Sequence, residues 1–286
     1  MTAKKLKFTY MKKILFPTDF SESATNAFVH ALEFTKIVNG ELVLLHSFEL
    51  PVYDNQFFPE NYNVLFDSLQ LTEFDMFKDE IPKLRAIAEE RKLNHIKMSH
   101  RLMDGSLLYN IKKAIEEENI DFIVMGTSGA TGWEAFFLGT NTGNVLTAVD
   151  VPVLSVPSDA KFKKIETIGF TTRYRDKDKK ALKDVLKIAK KTKANVKCLY
   201  VKTNNSDVSS STMKQWEEEF AGEPIQFSII ASEDVHDTIL DFILFKDVDV
   251  LAMLTYKRNF FVELFKPSLT QKFSNRLGIP VLAMHE

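Results

Sequence analysis

Five of the ten glycines in this chain fall within residues 126–143, directly after an apolar run that is typical of a buried strand. Glycine lets a ligand approach the main chain closely, although it weakens helices and strands. Exposed N–H groups beside the start of a helix form a binding site for an anion. The spacing Gly126-x2-Gly129-x9-Gly139-Thr140 therefore indicates that this stretch binds phosphate.

Thr140 and Thr142 open the helix predicted after the glycines, and their hydroxyl groups add donors at the same helix start. Two familiar phosphate loops are excluded. A P-loop needs Gly-Lys followed by Ser or Thr, which occurs nowhere in the chain. A dinucleotide-binding loop needs glycines after the first strand, where this chain reads FPTDFSESA. The phosphate site must therefore be of another kind.

Short apolar runs alternate with amphipathic segments around this stretch. Strands are predicted at 13–19, 41–48, 96–103, 122–127 and 151–157. Helices are predicted at 21–39, 68–93, 105–119 and 139–149. Apolar runs rich in Val, Ile and Leu suit a parallel sheet that is covered on both faces. The alternation predicts a doubly wound α/β fold, in which ligands bind beyond the carboxyl ends of the strands.

The same pattern occurs twice along the chain. ILFPTDF and LLHSF match IGFTTRY and CLYVK at a shift of 154 residues, whereas DFIVMGTSG and DVPVLSV match DVLAMLTYK and GIPVLAM at 128. Each shift is the same for two separate matching segments, which predicts a tandem duplication with domains at 11–158 and 162–286.

The two shifts differ by 26 residues, which must be extra length in the first half. We expect much of it in the aromatic-rich segment 51–67, interpreted as a loop. Such a loop either packs on its own domain or serves as a ligand lid or a subunit contact.

Composition narrows the function. A net charge of −2 gives no reason to expect nucleic acid or an anionic membrane as a partner. No apolar run reaches the roughly 20 residues that span a bilayer. The single cysteine, Cys198, fits a reducing compartment and is interpreted as core, so a cytoplasmic protein is expected. The six histidines show no metal-ligand spacing, and His46 is interpreted as a core residue.

The glycine spacing after a fourth strand resembles the nucleotide-binding signature of the universal stress protein family. The opening ILFPTDFSESATNAF, the run LVLLHSF and the terminal VPVLSVP also resemble that family, so the likeness covers two domains in tandem. It implies two five-stranded parallel sheets of order 3-2-1-4-5 that pair through their last strands, so VPVLSVP is expected to lie near IPVLAMH. This pairing would make an intramolecular pseudo-dimer, which could form a homodimer. It also implies ATP or AMP as ligand, with Mg²⁺ accompanying ATP.

The resemblance assigns the site residue by residue. Asp19 would contact adenine, Ser47 would border the base and ribose, and the glycines and threonines would surround the ribose and phosphates. The full nucleotide-binding set is Pro17, Thr18, Asp19, Ser47, Met125, Gly126, Gly129, Gly139, Thr140, Asn141 and Thr142. The structural alternative for Asp19 is an N-cap of the helix that follows. Asn141 has a similar alternative as a helix-start residue without a ligand.

The second half departs from this pattern at five of the matched site positions. Its counterparts of Asp19, Gly126, Gly129, Gly139 and Thr140 are Arg173, Leu254, Lys257, Pro267 and Ser268. Long side chains would occupy the phosphate space, and proline lacks an N–H donor. We therefore expect one nucleotide site per chain, in the first half.

Three functions remain open from the sequence. The first is a regulatory protein that binds ATP or AMP with little or no turnover. The second is an enzyme that hydrolyses ATP slowly, and the third is an interaction module that binds no nucleotide. No Lys, Arg or His occurs within residues 126–143 to stabilise a transferring phosphate, which argues against efficient turnover.

Overall fold

A computed structural model describes residues 13–49, 62–127, 140–255 and 278–285. In the first half, strands and helices alternate throughout, as the sequence predicts. The elements are β1 (Lys13–Pro17), α1 (Glu22–Val38), β2 (Glu41–Phe48), α2 (Tyr62–Glu90), β3 (Met98–Asp104), α3 (Leu107–Glu118), β4 (Phe122–Gly126), α4 (Thr140–Ala148) and β5 (Val153–Val156).

The second half repeats this order. Its elements are β6 (Thr167–Thr171), α5 (Asp176–Thr192), β7 (Asn195–Lys202), α6 (Ser210–Glu219), β8 (Ile225–Ala231), α7 (Val235–Phe245), β9 (Val250–Leu254) and β10 (Val281–Met284). The bounds of β6 and β7 follow those of β1 and β2 at the predicted shift of 154 residues. Those of β9 and β10 follow β4 and β5 at 128. The repeat in the sequence is therefore a repeat of strands.

All ten strands form one sheet, in the order β3-β2-β1-β4-β5-β10-β9-β6-β7-β8. Each half has the predicted parallel order 3-2-1-4-5. The halves meet where β5 pairs antiparallel with β10, so the expected proximity of the two terminal motifs is confirmed. Leu154 pairs with Leu282, its own counterpart at the shift of 128, and buried Ser155 donates its hydroxyl to Val281 O at 3.1 Å.

Helices cover both faces of the sheet because successive strand residues point to opposite sides. Ile14 and Phe16 pack in a core cluster with residues of α1, α2, α5 and α6. Leu15 packs in a second cluster with residues of α3, α4 and α7. Within the described ranges, no helix combines the length and the apolar character needed to cross a bilayer.

The prediction that the extra residues of the first half form a loop is wrong in part. Helix α2 has 29 residues, against 10 in its counterpart α6, so much of the extra chain is helix rather than loop. The predicted helix at 68–93 starts too late, because residues 62–67 already belong to α2. Asn63 and Asp67 are weak helix formers, so the sequence of residues 62–67 favoured the prediction of a loop. Residues 51–61 lie outside the described residues.

Candidate functional site

The turn after β1 is held by a hydrogen bond to β2 and by the hydroxyl of Thr18. Thr18 N donates to Leu45 O at 2.9 Å on the neighbouring strand β2, and Phe20 N donates to the Thr18 hydroxyl oxygen at 3.0 Å. Phe20 adopts a left-handed conformation, with φ of 59°. Pro17 and Thr18 are buried, whereas Asp19 is exposed. The turn therefore presents the Asp19 side chain at the carboxyl end of β1.

Asp19 does not cap helix α1. The N-cap is Ser21, whose Oγ accepts a hydrogen bond from Ala24 N at 3.2 Å. Asp19 Oδ1 instead accepts from Ser21 N at 3.0 Å and from Ser21 Oγ at 2.6 Å. The structural alternative for Asp19 is therefore wrong, since the capping position is already filled. Among the described residues, the second carboxylate oxygen of Asp19 has no hydrogen-bond partner.

Gly126 permits close packing at the end of β4. A Cβ atom there would lie 3.1 Å from Ser23 O and 3.3 Å from Ser23 C, which are main-chain atoms of the first turn of α1. A side chain here would push the main chain of α1 away by a few tenths of an ångström, so glycine favours this close packing. The preceding Met125 is buried, with its side chain in the core cluster shared with α3 and α4.

Thr142 joins the start of α4 to the end of β4. Its side chain is 2 % exposed, and its hydroxyl donates to Gly126 O at 3.1 Å. The proton of this hydroxyl is therefore directed at the protein, and any ligand contact from Thr142 would come from its main-chain N–H. Thr140 and Asn141 are the first two residues of α4. Gly129 and Gly139 lie outside the described residues.

Two residues that sequence reasoning missed lie beside Ser47. Asn110, in α3, is fully buried and donates through Nδ2 to Ser47 Oγ at 3.2 Å. Gly105 follows β3 with φ of 110°, and its N–H donates to Phe48 O at 2.9 Å. Glycine directly after a strand in RLMDGSLL was the available signal for the turn. No sequence pattern pointed to Asn110.

The structure brings most of the predicted residues to one edge of the sheet. Strands β3, β2, β1 and β4 are parallel neighbours, so their carboxyl ends align. The Asp19 turn, Ser47, Gly126 and the N-terminus of α4 all lie at these ends. The first N–H groups of a helix lack intrahelical partners and carry a partial positive charge. The edge therefore combines an exposed carboxylate with a helix terminus suited to an anion.

His46 and Cys198 serve the core. His46 Nδ1 donates to Thr18 O at 2.7 Å, the ring packs 5.0 Å from the ring of Phe20, and Nε2 lies 3.5 Å from Glu73 Oε2. This confirms His46 as a satisfied buried residue. Cys198 is buried in the second half, and burial raises the pKa of its thiol well above the ordinary value, with the Asp178 carboxylate adding to the effect.

A group of possible metal ligands in the described part of the second half was not apparent from the spacing of histidines in the sequence. Ligand atoms of Asp234, His236 and Asp237 lie within 4.8 Å of one another. Hydrogen bonds within the protein explain this proximity. Asp234 caps α7 by accepting from Asp237 N at 2.9 Å, and His236 Nδ1 lies 3.1 Å from Asp237 Oδ1. The positive end of the α7 dipole also opposes a cation at this place.

In the second half, the turn after β6 corresponds to the Asp19 turn, and a buried carboxylate accepts hydrogen bonds from it. Asp178, fully buried in α5, accepts from Arg173 N at 2.7 Å, from Arg175 N at 3.1 Å and from the Thr172 hydroxyl at 3.3 Å. Ala24 occupies the equivalent position in the first half. Buried Leu254 stands where the first half has Gly126. Lys257, Pro267 and Ser268 lie outside the described residues.

A family model described as the universal stress protein family matches residues 11–157, just over half of the chain. The chain belongs to the universal stress protein family. A universal stress protein of Methanocaldococcus jannaschii is 31% identical over 152 residues, which cover 51% of this chain and 94% of that protein. A second one from the same organism is 26% identical over 150 residues, covering 52% of this chain and 84% of that protein.

Solved structures extend the likeness to the whole chain. A universal stress protein from Archaeoglobus fulgidus has a TM-score of 0.72 at 18% identity, covering 96% of this chain and 98% of that one. A Pseudomonas aeruginosa protein described as functionally unknown has a TM-score of 0.63 at 12% identity, covering 97% and 94%. At these identities the likeness shows a shared fold. Both halves of the chain therefore share the fold of these structures.

Proposed function

We propose that this chain is a regulatory protein of the universal stress type that binds ATP or AMP in its first half, with little or no turnover. One observation carries the proposal. The start of α4 is joined to the end of β4 through Thr142 and Gly126, at the edge where the Asp19 carboxylate is exposed. A nucleotide needs these two features together, because its base carries a donor amine and its other end is an anion.

The base end of the site would be formed by the turn after β1 and by β2. The outer oxygen of Asp19 would accept a hydrogen bond from the exocyclic amine of adenine. Ser47 would border the base and the ribose, with Pro17 and Thr18 supplying main-chain atoms. This assignment is supported by the exposure of Asp19 and by its second carboxylate oxygen, which has no partner among the described residues.

The phosphate end would be formed by main-chain N–H groups. Thr140, Asn141 and Thr142 open α4, and the first N–H groups of a helix are donors without intrahelical partners. We assign Gly129 and Gly139 to the same end on their spacing, with Mg²⁺ accompanying ATP. Met125 and Gly126 would contribute through the main chain, since the Met125 side chain is buried in the core.

The second half would bind no nucleotide. Arg173 replaces the carboxylate that would accept the adenine amine, and Asp178 closes the turn beside it. Leu254 replaces Gly126, which adds a side chain at the end of β9. Slow turnover in the first half follows from the lack of Lys, Arg or His in residues 126–143.

We also propose that the two halves form an intramolecular pseudo-dimer, which could associate further as a homodimer. A two-fold relation between the halves would place the residue on the axis of the shared strand pair opposite its own counterpart. The Leu154–Leu282 pair, whose members correspond at the shift of 128, supports this arrangement. Light scattering of the purified protein would separate one chain from two.

Acid extraction of the purified protein, followed by chromatography of the extract, tests the function. We expect adenine nucleotide at up to one equivalent per chain, and a calorimetric titration of nucleotide-free protein with ATP that fits one site. An extract containing no nucleotide, together with a flat titration, would favour an interaction module. Conversion of added ATP to ADP over hours would favour a slow hydrolase, and two equivalent sites would refute loss of the second site.

A further inference from the structure

Asn110 forms an unusual connection between three parts of the first half. Its Nδ2 lies 3.0 Å from Gly105 O, 3.2 Å from Met103 O and 3.2 Å from Ser47 Oγ. These atoms belong to the turn after β3, to β3 itself and to β2. A fully buried side chain on α3 therefore holds together two strand ends at the candidate nucleotide edge.

The carbonyl neighbours determine the orientation of this amide. Met103 O and Gly105 O can only accept hydrogen bonds, so the nitrogen of Asn110 must face them. The same nitrogen then donates to Ser47 Oγ, so Asn110 cannot receive the hydroxyl proton of Ser47 through that contact. Ser47 is half-buried, and its proton can be donated to another group. The contact with Asn110 therefore leaves the hydroxyl proton of Ser47 available for donation to a ligand.

The oxygen of the Asn110 amide does not explain why an asparagine stands at this position. Asn110 Oδ1 is buried and has no hydrogen-bond partner among the described residues. A buried acceptor without a partner is costly, and a leucine of similar volume would avoid that cost. The two Nδ2 protons, which are shared among three acceptors, are therefore what an asparagine supplies here and an apolar residue does not.

The second half lacks this connection. Thr238 stands at the equivalent position and donates its hydroxyl to Asp234 O of its own helix at 2.6 Å. Val201 stands where the first half has Ser47, so no hydroxyl is available to orient. The same fold is thus built without an amide at this position. The connection is confined to the half in which a nucleotide is proposed to bind.

We propose that Asn110 is a positioning residue for the adenosine part of the nucleotide, acting by directing the Ser47 hydroxyl proton toward the ligand. This rests on the proposed function, because it assigns a role within the same site. Asn110 does not itself have to touch the nucleotide. Its effect passes through Ser47.

Substitution of Asn110 by Thr tests the proposal, since Thr238 shows that the fold accepts threonine at this position. We expect Asn110→Thr and Ser47→Ala each to weaken ATP binding roughly three- to tenfold in calorimetric titrations, as expected for one lost hydrogen bond. The double variant should bind about as weakly as either single variant, since both changes remove the same interaction. AMP and ATP should lose affinity by the same factor, because both share the adenosine that Ser47 borders.

The controls separate positioning from folding. Thr238→Asn, the reverse exchange in the second half, should leave ATP affinity unchanged, and the melting temperature of Asn110→Thr should stay within a few degrees of the wild type. Multiplicative losses in the double variant, or a loss restricted to ATP, would overturn the positioning role. Wild-type affinity in Asn110→Thr would overturn it while leaving nucleotide binding intact. A wild-type protein that binds no adenine nucleotide would refute the proposed function itself.

Discussion

Replacing Asp19 by Asn changes base selectivity without removing the local hydrogen bonds of the turn. Ser21 N and Ser21 Oγ both lie within hydrogen-bond distance of Asp19 Oδ1, so the side-chain oxygen of asparagine should stay on the Ser21 side. The amide nitrogen then takes the place of the outer carboxylate oxygen. That nitrogen donates, whereas the carboxylate accepts, so the preferred base should change from one with an amine to one with a carbonyl.

The magnitude follows from the exposure of the side chain. A mismatched polar pair costs about 1–3 kcal/mol when buried, and the exposed Asp19 places the effect near the lower end. About 1.4 kcal/mol corresponds to a tenfold preference of the wild type for ATP over ITP. Asp19→Asn should reverse the ratio to roughly tenfold in favour of ITP, while Asp19→Ala should bring it close to one and lower stability by about 1 kcal/mol.

Competition titrations of ATP and ITP against a fluorescent nucleotide would measure the ratio in each variant. Ser21→Ala is the matched control. It removes the cap of α1, which costs about 1 kcal/mol of stability, and the bond from Ser21 Oγ to Asp19. Ser21 N still donates to Asp19 Oδ1, so the outer oxygen of Asp19 remains an acceptor. An Asp19→Asn protein with wild-type melting behaviour and an unchanged ATP-to-ITP ratio would refute the adenine assignment.

Three further predictions concern stability. Gly126→Ala should lower the free energy of unfolding by roughly 1–3 kcal/mol in urea titrations, because the new Cβ lies 3.1 Å from Ser23 O; wild-type stability would contradict the packing role. Burial lowers the pKa of His285, whose Nε2 donates to Leu146 O, so the unfolded chain protonates first and stability should fall as pH drops below about 6.5. His285→Gln should reduce that loss between pH 7 and pH 5 in melting experiments, and an unchanged pH dependence would refute the assignment. Asp178→Ala should cost roughly 2–4 kcal/mol, because buried donors lose their acceptor; a loss no larger than that of Asp19→Ala would argue against it.

The fold could be predicted because its signal is local and repeated. Apolar runs of strand length and helical spacing depend on neighbouring residues, and the two shifts located the same strands twice. The predicted start of α2 was wrong by six residues. Residues 62–67 include weak helix formers, whose own propensity favours a loop, yet they form the first turns of α2. Tertiary context extended a helix that local propensity would have ended.

The candidate site was predicted in part. Asp19, Ser47 and Gly126 do lie at one edge of the sheet, because strand order alone places the ends of parallel strands together. The partners of these residues could not be predicted. Whether Asp19 capped a helix depended on which of Asp19 and Ser21 took the capping position, and both are residue types that cap helices.

The sequence by itself determined the α/β class and the repeated order of strands, since these depend on residue type and spacing along the chain, and the proposal of a nucleotide site in the first half rests on the same information. The tertiary structure alone decided three other matters: that the Thr142 proton is directed at Gly126, that β5 and β10 unite the halves in one sheet, and that Asn110 faces Ser47. Each of these joins groups that are far apart in sequence. The direction of a hydrogen bond and the pairing of strand edges depend on distances in space, which residue spacing does not encode.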